Sequence, residues 1–167
     1  YYRAFLQFLQ ECGVEIFWQE QAATLYRDPT VPLRGGRHLY ANAWPAFATD
    51  TAPLAAAVLL QAEGASEIYD HLFANRFACA AGFAAMGAAC TVRGRMLQIA
   101  GSAHLEAAEV QAPDLRGGAA LLVAALAAEG TTILRDPGHI RRGYADLPAE
   151  LAGLGAQCAV QRQRVPG

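Results

Sequence analysis

The chain has 167 residues, the size of one domain or of part of a larger one. Hydrophobic residues make up 54% and charged residues 17%, which excludes a disordered chain, and a net charge of -2 gives no electrostatic case for nucleic acid. All 13 basic residues are arginine, so chemistry that needs a lysine amine must come from outside this sequence.

The first stretch, "YYRAFLQFLQECG", reads as an amphipathic helix ending before Gly13, followed by a strand in "VEIFW". It has no initiator Met and starts with a helix already under way, so the sequence reads as a piece of a longer polypeptide. Residues 19–43 read as a strand, "ATLYR", and a long irregular connection marked by Pro29, Pro32, Gly35 and Gly36. "TDTAPLAAAVLLQAEGASEIYD" then gives Asp50, an apolar helix, an Ala-Glu-Gly turn and a strand closing on Asp70. "FANRF" brings Arg76, "AAGFAAMGAACTVRG" a second helix ending before Gly87, and "CTVRGRMLQIAG" two strands about Gly94.

The next stretch repeats this order. "PDLRGGAALLVAALAAEGTTILRD" supplies Asp114, an apolar helix, Ala-Glu-Gly, a strand and Asp136; "HIRRGY" supplies Arg142. "LPAELAGLGAQCAVQR" closes with a helix, Gly155 and a strand. Three units are expected, at roughly 1–43 (partial), 44–108 and 109–167, each a mix of helices and strands. The fold class is α/β, built of α+β repeats. The first helix of each unit is apolar all round, which places it inside, and a ring of units with helices within and sheets outside satisfies that.

Cys12, Cys79, Cys90 and Cys158 form no C-x-x-C pair, and the four histidines show no metal-ligand spacing. Reduced, mostly buried thiols are expected, with no metal and no cofactor. The sequence has no signal peptide, and its longest apolar run, residues 119–128, is too short to span a bilayer. A cytoplasmic protein without a membrane or nucleic-acid partner is the expectation.

Asp50 and Asp114 each precede an apolar helix, where a carboxylate accepts hydrogen bonds from free backbone N–H groups. Arg116 is the odd residue, because a cation in the first turn opposes the helix dipole. Its partner is either Asp114, as a local ion pair, or an anionic ligand. Arg76 and Arg142 lie near helix starts too, and with Arg116 they could surround one phosphate or carboxylate. Asp50, flanked by Thr49 and Thr51, could accept a proton from a substrate hydroxyl.

Three motifs in this order, T-D, F-x-N-R-F and D-L-R-G followed by H-I-x-R-G-Y, make the chain resemble the C-terminal part of the UDP-N-acetylglucosamine 1-carboxyvinyltransferases, from Ala4 to Ala159. The resemblance implies the enolpyruvyl transferase fold: βαβαββ units in an inside-out α/β barrel, helices inside and sheets outside, here with one domain incomplete. It implies transfer of the enolpyruvyl group of phosphoenolpyruvate to the 3′-hydroxyl of UDP-N-acetylglucosamine, the first committed step of peptidoglycan synthesis. It also implies site residues. Asp50 contacts the sugar hydroxyl as base, and Leu72 meets the nucleotide sugar through its backbone. Arg76, Arg116 and Arg142 surround phosphoenolpyruvate, with the acid Asp114 beside them. The family's mobile loop with its proton donor, and its N-terminal Lys-Asn, have no match here, so the missing N-terminal part of the enzyme is an expected partner and the fragment is expected to be inactive alone. Two departures stand out. Ala48 and Ala52 flank the Asp50 motif where the family has Pro and a Gln-bearing segment, and Arg141 replaces an Asp before Arg142. The alternatives are a 3-phosphoshikimate 1-carboxyvinyltransferase, which shares the architecture, and a degenerate homologue acting as a binding module.

Overall fold

A computed structural model describes residues 2–161. Three short helices, α1 (Arg3–Glu11), α3 (Ala80–Ala85) and α5 (Leu147–Gly153), each give way to a glycine with positive φ: Gly13 at 103°, Gly87 at 91° and Gly155 at 96°. Side chains are disfavoured in that left-handed region, so glycine ends each helix at low cost. After α1 the chain forms an antiparallel hairpin of β1 (Glu15–Trp18) and β2 (Ala23–Tyr26), with Glu15 opposite Tyr26.

The main sheet has five strands in the order β4-β3-β5-β7-β6: β3 (His38–Asn42), β4 (Phe47–Ala48), β5 (Ser66–Asp70), β6 (Cys90–Arg93) and β7 (Met96–Ile99). β3 runs parallel to β4 and β5, while β5, β7 and β6 are antiparallel neighbours. The parallel step from β3 to β5 needs a crossover, and α2 (Ala52–Gln61) provides it. β8 (Glu109–Gln111), α4 (Leu115–Leu126) and β9 (Ile133–Arg135) repeat the arrangement, β8 and β9 being parallel. The turns after the crossover helices repeat too. Glu63 donates its N–H to Leu33 at 2.7 Å, and Glu129 donates its own to Leu105 at 2.8 Å.

Period-2 alternation sets the sheet's inner face. Ile68, Leu97 and Ile99 point at the helices, and Tyr69, Glu67 and Gln98 point away. α2 supplies most of the core facing them. Its Leu59 and Leu60 are fully buried, each contributing about 2 kcal/mol by removal of apolar area from water. α1 closes one end, where Phe8 meets Phe47 edge to face at 5.9 Å.

Three expectations change. Residues 38–42 form a central strand, where the Pro- and Gly-rich composition suggested only irregular chain. Its cause is non-local: Ala41 is buried and the backbone pairs along the length of β5, neither of which local composition reveals. The strand expected after Gly155 does not form over residues 156–161, and residue 162 lies outside the described residues. In the earlier repeat the equivalent strand, β6, is held by β7, which follows it. Finally, α2 is enclosed as expected, but α4 shows Val123 (40%) and Leu126 (46%) to solvent. The described sheets are open, with no closed barrel among them, as an incomplete domain requires. No helix among the described residues is long and apolar enough to cross a membrane.

Candidate active site

The sheet delivers its chemistry at the carboxyl ends of the parallel strands β3 and β5, where open α/β sheets place ligands. β4 pairs with the last residues of β3 and runs directly into a single 3-10 turn, Thr49–Thr51, that leads into α2. β5 ends on Asp70, and the turn that follows carries Leu72, Phe73 and Arg76. α4 packs along α2 and brings its first turn, with Arg116, to the same end.

The partner of Arg116 is neither Asp114 nor a ligand. Asp114 is an N-cap: its Oδ1 accepts the Gly117 N–H at 2.7 Å, so it is committed to the backbone of α4. Arg116 turns away from it and donates Nη2 to Asp50 Oδ2 at 2.8 Å. Asp50 is therefore not a helix cap, as its repeat position suggested. The 3-10 turn moves the start of α2 past it, Thr51 takes the capping position without a side-chain cap, and Asp50 faces solvent and the arginines.

Arg76 approaches the other oxygen of the same carboxylate, with Nη2 3.5 Å from Asp50 Oδ1. It is held tightly. Its Nε donates to Thr49 Oγ1 at 3.0 Å and lies 3.6 Å from Asp70 Oδ2, and its guanidinium carbon sits 4.2 Å from the Phe73 ring centroid. Only 10% of the Arg76 side chain is exposed, against 38% for Arg116 and 53% for Asp50. Behind them Asp70 is fully buried. It accepts the N–H groups of Leu72 (2.9 Å) and Phe73 (2.7 Å) on Oδ1, and the Thr49 hydroxyl on Oδ2.

Of the six expected site residues Asp114 is engaged by the α4 backbone, and the other five fall into two sets. Asp50, Arg76 and Arg116 share one carboxylate, and Leu72 borders them through the N–H that Asp70 holds. Arg142 sits on the 3-10 turn Ile140–Arg142, where its Nη2 meets His139 Nδ1 at 2.8 Å. That turn packs on the start of α4, since a Cβ on Gly118 would lie 3.0 Å from Ile140 and one on Gly143 would lie 2.8 Å from Leu115. Arg142 is therefore carried beside the α4 terminus without joining the Asp50 cluster. Its neighbour Arg141 is exposed.

Sequence reasoning missed two functional-looking side chains, Asp70 and Thr49. The signal for Asp70 was available: an Asp ends the strand in both repeats. Asp136 does in the second what Asp70 does in the first, accepting the N–H groups of Gly138 at 3.1 Å and His139 at 2.7 Å. Cys79 is a buried thiol within electrostatic reach of Asp114 and Arg76. Burial, and next the Asp114 carboxylate, push it up to about 12, although Arg76 pulls the other way.

This arrangement of paired β–α–β repeats, with Arg76 and Arg116 brought to one carboxylate, defines a class. Residues 1–151 match the EPSP synthase (3-phosphoshikimate 1-carboxyvinyltransferase) family, and the chain belongs to that family. Among curated relatives, the UDP-N-acetylglucosamine 1-carboxyvinyltransferase 2 of Staphylococcus saprophyticus is 38% identical over 149 residues, covering 89% of this chain and 34% of that protein. The UDP-N-acetylglucosamine 1-carboxyvinyltransferase of Solibacter usitatus is 38% identical over 154 residues, covering 89% and 35%. The chain thus spans about a third of the length of these relatives. Of solved structures, the enolpyruvyl transferase NikO from Streptomyces tendae superposes with a TM-score of 0.79 at 32% identity, over 92% of this chain and 35% of that one. EPSP synthase from Acinetobacter baumannii, at 19% identity and a TM-score of 0.57, over 80% of this chain and 32% of that one, agrees in fold.

Proposed function

We propose that this chain is a C-terminal segment of a cytoplasmic enzyme that transfers the enolpyruvyl group of phosphoenolpyruvate to the 3′-hydroxyl of UDP-N-acetylglucosamine, in the peptidoglycan synthesis on which cell shape and division depend. The observation that carries the reading is the Asp50 carboxylate held between Arg76, from the turn after β5, and Arg116, from the first turn of α4. Both relatives described above that share 38% identity bear the name of that activity.

The chemistry fits the groups. The acceptor hydroxyl adds its oxygen to C2 of phosphoenolpyruvate as the C3 methylene takes up a proton, giving a tetrahedral ketal; loss of a proton from C3 then re-forms the double bond as the C2–O bond breaks and inorganic phosphate leaves. Asp50 takes the proton from the acceptor hydroxyl. Arg76 and Arg116, fixed before the substrate arrives, hold the phosphate and carboxylate charges; preorganised cations of this kind are worth more in a water-poor site than in solution. Asp114 stands at the α4 terminus beside them, and Arg142, on its separate turn, takes a further contact to the substrate anion once substrate is bound. The proton donor and further anion contacts come from the part of the enzyme that this sequence does not include, so the segment alone does not turn over.

The test is phosphate release by the full-length polypeptide that carries this segment, supplied with phosphoenolpyruvate and one acceptor at a time. Release with UDP-N-acetylglucosamine and none with 3-phosphoshikimate is the expected result. The opposite preference assigns the 3-phosphoshikimate reaction, and release with neither assigns a non-catalytic binding module.

A further inference from the structure

Among the described residues the most deeply buried charge is the Asp70 carboxylate, with no exposed surface. Burying an ionised group costs free energy unless each oxygen is satisfied, so its partners reveal what it is for. They divide between its two oxygens. Oδ1 accepts the N–H groups of Leu72 and Phe73, which shapes the turn after β5. Oδ2 accepts the Thr49 hydroxyl and lies 3.6 Å from Arg76 Nε. Thr49 in turn accepts from Arg76 Nε at 3.0 Å and directly precedes Asp50. One buried carboxylate therefore ties the segment bearing Asp50 to the segment bearing Arg76, through a hydroxyl that touches both Asp70 and Arg76.

We propose that Asp70, acting through Thr49, is a positioning residue: it pins Nε of Arg76 so that Nη2 faces Asp50 and the guanidinium's remaining N–H groups face an incoming phosphate or carboxylate. Phe73 adds to the clamp by lying against the guanidinium face. The inference rests on the proposed transferase reading, but its anion-binding part can be tested apart from it. It also accounts for how Asp50 is held without the flanking Pro and Gln of the family motif, because the Thr49 hydroxyl anchors that turn to the core.

The split between the two oxygens gives a clean variant. Asp70→Asn keeps an oxygen for Leu72 and Phe73 but puts an NH2 group where Oδ2 stood, and that group cannot accept from Thr49 or Arg76. Thr49→Val removes the linking hydroxyl at nearly constant volume, and Thr49→Ser restores it. In the full-length protein two quantities are read: binding of inorganic phosphate, and kcat and KM for phosphoenolpyruvate and for the acceptor. Asp70→Asn and Thr49→Val are expected to weaken phosphate binding about tenfold and to lower kcat/KM for phosphoenolpyruvate by about 100-fold, the scale of a misplaced binding group. The acceptor KM stays within about twofold. Thr49→Ser recovers both readouts, which a purely structural defect would not show. If Asp70→Asn fails to fold, Thr49→Val and Thr49→Ser decide. Unchanged phosphate binding and an unchanged KM in Thr49→Val overturn the inference. A native protein that binds phosphate but does not turn over, with binding lost in the variants, sinks the transferase reading and supports the clamp. A native protein that neither binds phosphate nor turns over overturns both.

Discussion

Asp114 illustrates how one side chain can serve two purposes that substitution separates. As an N-cap it is worth about 1 kcal/mol, and Asn caps a helix about as well as Asp. Asp114→Asn is therefore expected to leave thermal stability close to native. If the charge of Asp114 acts in the transfer, turnover falls by about 100-fold or more, in the range of lost acid-base participation. Melting temperature and kcat measured on the same full-length preparation check both halves. The thiols give a second prediction at this scale. Burial pushes Cys12 up to about 11 and Cys79 up to about 12 from the ordinary 9.0. In the unfolded chain both return to about 9.0, so between that value and the folded ones the native state binds more protons. Their contribution to stability is complete below about pH 9 and is lost as the pH rises through 11 and 12. Chemical denaturation at pH 8 and pH 10.5 is expected to show the lower stability at pH 10.5. Replacing both cysteines with Ala reduces that difference, and what remains includes the Cys90 thiol, which burial also raises. A flat profile in the native protein contradicts the shifts.

Among the elements, α4 shows how close packing places function. Its first turn carries Arg116, and the glycines that follow let neighbours come in tightly. A Cβ on Gly118 would lie 2.9 Å from the Ala112 Cβ and 3.0 Å from Ile140, whose turn carries Arg142. Gly118→Val is expected to destabilise by about 2 kcal/mol through overpacking, despite the better helix propensity of the new residue. It also shifts the Arg142 turn, so kcat/KM falls beyond what the lost folded fraction explains. Denaturant titration and kinetics on the folded fraction separate the two. The helices and their glycine ends were legible in the sequence because they depend on local features: an apolar stripe, then a residue free to adopt positive φ. β3 was not legible, because Pro29, Pro32, Gly35 and Gly36 dominate its approach and only pairing with β5 defines it. The site divided in the same way. Asp114 before an apolar helix announces a cap. That Arg116 bypasses it for Asp50, 66 positions away in sequence, depends on α4 lying along α2, which no local pattern encodes.

For the whole molecule, the open side of α4 and the single carboxylate shared by two arginines belong to one account. The described residues form paired repeats whose strand ends present cations around Asp50, and the chain accounts for about a third of the relatives it matches. The Arg116–Asp50 pair is partly exposed, with side chains 38% and 53% accessible, so as a structural link it contributes at most about 1 kcal/mol. Its weight is expected to lie in anion binding. The most direct measurement is kcat/KM for phosphoenolpyruvate in the full-length enzyme carrying Arg116→Ala, read beside its melting temperature. The account predicts a fall of about 100- to 1,000-fold with stability nearly native. Native kcat/KM accompanied by a clear loss of stability would contradict it, and would reduce Arg116 to a structural ion pair.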